Sequence, residues 1–145
     1  MDLTLRIVLK KPPIDVVFGL QKGSGSVIEV EQVQIAKGGE LLFDFMVEIK
    51  GTQQNDELPD FKGPFVQGPK FGRFIYINIG TYSGHAQSPV GGRMKIPLTG
   101  ITWEILRKAN IDTGLQTHVA GTGKNGGPNY ATVKPFEGWS IMTRE

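Results

Sequence analysis

Between Phe61 and Trp103 the chain carries no aspartate or glutamate. It carries Lys62, Lys70, Arg73, Arg93 and Lys95 as fixed positive charges, and His85 can add a sixth. The same stretch holds Tyr76, Asn78, Thr81, Tyr82, Ser83, Gln87 and Ser88, which donate or accept hydrogen bonds without charge. Arginine presents a planar fork suited to carboxylate or phosphate, and tyrosine can wall a pocket while still offering a hydroxyl. With no acid nearby to neutralise it, the local potential stays positive. The chemistry these types support is capture of a small anionic or polar ligand. The predicted site has Arg73 and Arg93 for the charge and Tyr76 and Asn78 for orientation. Thr81, Ser83 and Gln87 supply further hydrogen bonds, with Tyr82, His85 and Lys95 beside them. A surface whose lysines merely lack acidic neighbours would give the same composition, so geometry must decide.

His85 beside Ser83 or Tyr82 could act as a general acid or base, which keeps an enzyme of unknown reaction as the alternative function. The serine in Gly80-Thr81-Tyr82-Ser83-Gly84 stands one place late for a nucleophile elbow. Gly121-Thr122-Gly123-Lys124-Asn125-Gly126 has G-x-G-x-x-G spacing, but Gly127-Pro128 follows where a dinucleotide fold needs a helix. Asn125-Gly126 reads instead as a hairpin turn. His85 and His118 stand far apart without metal-ligand spacing, and the chain has no cysteine, which excludes disulfides, thiolate catalysis and cysteine zinc sites. No cofactor or metal is expected. A protein or nucleic-acid interaction module ranks third, because the net charge is only +2.

These groups need a scaffold, and 145 residues suit a single domain spanning 1–145. The 20 glycines and nine prolines come in pairs and triplets without a fixed period, which implies many turns and many short strands. Leu3, Leu5, Ile7 and Leu9 recur at period two among mostly polar neighbours, as do Leu41, Phe43, Phe45, Val47 and Ile49, and Val16, Phe18 and Leu20 alternate with Asp15, Val17, Gly19 and Gln21. Ile75, Ile77 and Ile79 put Tyr76 and Asn78 on the reverse face of their strand. The hydrophobic phase slips near Glu31 and Gln32, which predicts a β-bulge. The first four strands are expected to form a meander. The polar segment 51–60 reads as the most mobile loop. Ile101, Ile105, Leu106 and Ala109 predict one helix near 100–110, capped at Thr99. The expected fold is all-β and mainly antiparallel, a curved sandwich or barrel with one short helix.

Residues 1–59 hold six basic and nine acidic side chains, against ten and five in residues 60–145, so one sheet system should have two differently charged faces. No apolar run approaches the roughly 20 residues that span a bilayer. The start at Met1 lacks signal-peptide regions, so a cytoplasmic protein without membrane contact is expected. No pattern specifies an oligomeric state.

Several motifs carry a resemblance over nearly the whole chain. They are Phe61-Lys62-Gly63-Pro64-Phe65-Val66-Gln67-Gly68-Pro69, Gly72-Arg73-Phe74-Ile75-Tyr76-Ile77 and Pro97-Leu98-Thr99-Gly100-Ile101-Thr102-Trp103, with Leu5-Arg6-Ile7-Val8-Leu9 and Phe18-Gly19-Leu20-Gln21 near the start. Gly121-Thr122-Gly123 and Ala131-Thr132-Val133 fit as well. The chain resembles the bacterial family catalogued as domain of unknown function 5990. The resemblance implies that Val90-Gly91-Gly92 departs from a family pattern with a tryptophan and a further basic residue. It brings no assigned activity.

Overall fold

The computed structural model describes residues 2–12, 14–23, 28–80, 93–111, 116–123 and 136–144. They build two antiparallel sheets. One runs β5 (Asp60–Lys62), β4 (Leu41–Lys50), β1 (Asp2–Lys10), β9 (Phe136–Arg144), β8 (Gln116–Gly123). The other runs β3 (Glu29–Ile35), β2 (Val17–Lys22), β6 (Phe74–Gly80), β7 (Arg93–Pro97). The described residues are sandwich-like and form no closed barrel, so of the two expected shapes the sandwich holds.

The period-two pattern explains the core. Leu3, Leu5, Ile7 and Leu9 of β1 and the five alternating residues of β4 point inward from the first sheet. Phe18 and Leu20, Ile75, Ile77 and Ile79, and Met94 and Ile96 point inward from the second. Each fully buried Leu, Ile or Phe side chain contributes roughly 1.5–3 kcal/mol relative to exposure. The bulge lies where the phase slips: the β2–β3 register shifts between Phe18 and Leu20, and Gln32 takes a φ of 56°. Beside it, Gln32 Nε2 donates to Asp44 O at 2.8 Å and Gln34 Nε2 to Leu42 O at 3.0 Å. Side-chain amides thus tie β3 to β4 where the two strands share no ladder.

The expected meander does not form. β1 pairs with β4 and β9, whereas β2 pairs with β3 and β6. After β1, Lys11 and Asp15 adopt φ of 51° and 66°, and the chain crosses to the opposite sheet. Alternation reports which face of a strand is apolar, not which strand lies beside it.

The helix α1 (Trp103–Ile111) is present, but its cap is Thr102 rather than Thr99. Thr102 Oγ1 accepts from Ile105 N at 3.3 Å, and Leu106 N donates to Thr102 O at 3.1 Å. Thr99 sits instead in a turn closed by Ile101 N to Leu98 O, which buries Leu98 and Ile101. The 51–60 loop is held at several points. Asp56 accepts from Thr52 N at 3.1 Å and pairs with Lys70 Nζ at 3.1 Å, and Trp103 Nε1 donates to Asp56 O at 3.0 Å. The Thr52 amide, and then Lys70, hold the Asp56 carboxyl below its usual pKa.

Candidate functional site

β6 supplies the site because its two faces differ. Its isoleucines enter the core, so Phe74, Tyr76 and Asn78 must occupy the outer face of the four-stranded sheet. The ladders then fix their neighbours. Asn78 lies opposite Gly19 on β2 and opposite Arg93 on β7, and Tyr76 lies opposite Lys95.

Asn78 is 0% exposed, and among the described residues neither its Oδ1 nor its Nδ2 has a hydrogen-bond partner. Such groups are rare, because an unpaired buried polar atom costs about 1–3 kcal/mol. The β2 flank of Asn78 is apolar. Gly19 has no side chain, and a Cβ there would fall 2.3 Å from Val30 Cγ1 and 3.3 Å from Val33 Cγ2. Valine methyls from β3 therefore lean over the glycine and wall that flank.

On the β7 flank stands a cation. The Arg93 guanidinium lies 4.0 Å from the centre of the Tyr76 ring, and its Nη1 donates to Gln21 Oε1 at 3.3 Å. It thus crosses β6 and reaches β2 over the tyrosine face, an arrangement worth roughly 0.5–2 kcal/mol. Gln21 is fully buried, and its Nε2 donates to Gly23 O at 3.2 Å, which also accepts from Gln67 Nε2 at 2.8 Å. This chain orients Arg93 without removing its charge. Further along, Lys95 Nζ sits 4.2 Å from the Phe74 ring centre, and Phe74 meets Tyr76 edge-on at 4.8 Å. Among the described residues, no carboxylate pairs with Arg93 or Lys95.

Arg73 is placed differently. Its Nε donates to Asp60 Oδ1 at 2.9 Å, its Nη2 lies 3.5 Å from Asp60 Oδ2, and its Nη1 donates to Gly68 O. The Asp60 carboxyl sits below its usual pKa because Arg73 donates to it, a hydrogen bond that outweighs burial and is supported by Lys62 and Lys70. Arg73 and Arg93 therefore do not share one pocket. Arg73 is in phase with the inward isoleucines of β6, whereas Arg93 pairs with outward Asn78. Asp60 stands one residue before the acid-free stretch and neutralises its first arginine.

The geometry thus gathers Tyr76, Asn78, Arg93 and Lys95 and separates Arg73 from them. Thr81, Tyr82, Ser83, His85 and Gln87 lie outside the described residues, as does the Asn125-Gly126 turn. Gly121 and Gly123 belong to β8, which pairs with β9. Gly19 and Gln21 also belong to the site, although period two says only that they share a face of β2: the register sets Gly19 opposite Asn78, and the hydrogen bond from Arg93 brings in Gln21. Among the described residues there is no group of three or more histidines and carboxylates that could hold a metal ion. Nor is there among them a helix long and apolar enough to cross a membrane.

These features define an antiparallel two-sheet β domain whose outer face carries cations and a buried amide that are without partners among the described residues. The chain belongs to the family of unknown function DUF5990, which it matches over residues 3–142, as the motifs of its sequence indicate. No curated protein and no solved structure matches the chain.

Proposed function

We propose that this protein is a binding domain for a small anionic or polar ligand, held on the outer face of the four-stranded sheet. Arg93 pairs the charge, Asn78 orients the ligand, and Tyr76 with Gln21 fixes the guanidinium from below and from the side. Lys95 adds positive potential one step along β7. The carrying observation is the Asn78 amide, buried with both polar atoms unpaired and directly across the ladder from a cation that no described carboxylate neutralises. Folds rarely retain such a group without a use for it. The solvent is expected to be cytoplasmic, without membrane contact.

The test is a dye-shift and calorimetric screen of small anions on the wild type, Arg93→Ala and Arg73→Met. Stabilisation by anions that is lost in Arg93→Ala and kept in Arg73→Met is the expected outcome. The absence of any anion-dependent stabilisation, or a response that survives Arg93→Ala, overturns the assignment.

A further inference from the structure

The charge at Arg93 asks only for an anion, but Asn78 asks for more. Among the described residues its Nδ2 is a donor without an acceptor and its Oδ1 an acceptor without a donor, and the two project from one carbon. A group that satisfies both must offer an acceptor and a donor side by side. Carboxamides, lactams and the edges of nucleobases have this pattern, as side-chain amides show when they read adenine bidentately. A bare carboxylate or sulfate does not, because it brings acceptors alone and leaves Oδ1 unpaired. Building on the binding function proposed above, we infer that the ligand joins an oxyanion to such a donor–acceptor edge, the oxyanion at Arg93 and the edge at Asn78.

The register limits the distance between the two parts. Directly opposed residues of an antiparallel pair have Cβ atoms roughly 5 Å apart, and Asn78 opposes Arg93. An acid attached to the ring that carries the edge fits this span. A longer link places the acid at Lys95, two residues along β7 and about 7 Å further on. The apolar wall over Gly19, made by Val30 and Val33, accommodates the flat, uncharged side of the edge-bearing group. Because Asn78 has no exposed surface, neighbouring side chains shift to admit the ligand and then enclose it.

The probes separate the parts: orotate has a ring carboxylate and an imide edge, benzoate the ring carboxylate alone, uracil the edge alone, and sulfate the charge alone. Binding is measured by calorimetry on the full chain, with uridine 5′-phosphate as the phosphate-bearing counterpart of orotate. Orotate or uridine 5′-phosphate should bind at least about tenfold more tightly than benzoate or uracil, since each lacks a partner the site demands. Tightest binding of orotate supports the acid at Arg93, whereas tightest binding of the nucleotide moves it to Lys95 and refutes that placement. Asn78→Leu should level orotate with benzoate, whereas Arg93→Ala should weaken both. If orotate, benzoate and sulfate bind alike in the wild type, Asn78 holds no more than a buried water. The edge is then refuted while anion binding stands. If no probe binds, both are refuted. The wild-type comparison decides even where a variant fails to fold.

Discussion

Asn78 and Arg93 face one another across the β6–β7 ladder, the amide fully buried and unpaired and the guanidinium laid over Tyr76 and held by Gln21. One residue lacks hydrogen-bond partners and the other lacks a counter-charge among the described residues, so the two define where a ligand would gain most.

An amide kept for binding should not be needed for folding. Asn78→Leu removes two unpaired polar atoms and fills the same volume with methyls. Its stability is expected to be unchanged or raised by about 1 kcal/mol, which corresponds to a rise of roughly 2–4 °C in Tm for a chain of this size. Urea and thermal denaturation measure it. A loss above about 2 kcal/mol would mean that the amide is already satisfied within the fold.

Arg73 is expected to matter for stability instead. Arg73→Met leaves Asp60, 5% exposed, without its main donor, although Lys62 Nζ remains 3.8 Å away. A cost of about 2–3 kcal/mol is expected, below the roughly 3–5 kcal/mol for breaking a pair with no substitute cation. Equilibrium unfolding in urea tests this, and a cost under about 0.5 kcal/mol would place the pair among inert surface bridges.

The same pair sets an acid limit. The folded pKa of Asp60 is depressed, so its contribution is fully present above the unfolded carboxylate value of about 3.9 and is lost as pH falls through the lower folded value. Stability of the wild type should therefore drop more steeply below about pH 4 than that of Asp60→Asn. Parallel pH–stability curves for the two proteins would contradict the assignment.

Gly19 is expected to tolerate no side chain. The Cβ of Gly19→Ala meets Val30 Cγ1 at 2.3 Å, and a β-branched side chain has little freedom to retreat. A loss of about 1–3 kcal/mol is expected, partly recovered in Gly19→Ala with Val30→Ala. If the single variant is as stable as wild type, the valine wall beside Asn78 is not there.

The helix offers a discriminating pair. Thr102→Ala should cost about 1 kcal/mol and Thr99→Ala almost nothing, because only Thr102 caps the amide of Ile105. The opposite ranking, read by thermal denaturation, would return the cap to Thr99.

The strands were legible in the sequence wherever one face was apolar and the other polar. Leu41 to Lys50 is the clearest case, and the slip at Glu31-Gln32 located a real bulge. The phase of β6 also put Tyr76 and Asn78 on the correct face. What period two does not encode is adjacency, and the differences in the sheets and the site follow from that. The crossing after Lys11 replaced a meander with two sheets. Asp60, placed beside Arg73, removed one arginine from the site, and Gln21 and Gly19, placed beside Arg93 and Asn78, extended it. The cap moved because Leu98 and Ile101 are both buried by a turn, a tertiary effect that local capping preference does not contain.

The most direct test follows the Asn78 side chain itself. In a nitrogen–proton correlation spectrum, its Nδ2 proton pair is the one missing from Asn78→Leu. Addition of orotate to the wild type should shift that pair with saturation, and the shift should be absent in Arg93→Ala. A pair that stays in place at saturating orotate, or that moves equally without Arg93, would contradict the shared site.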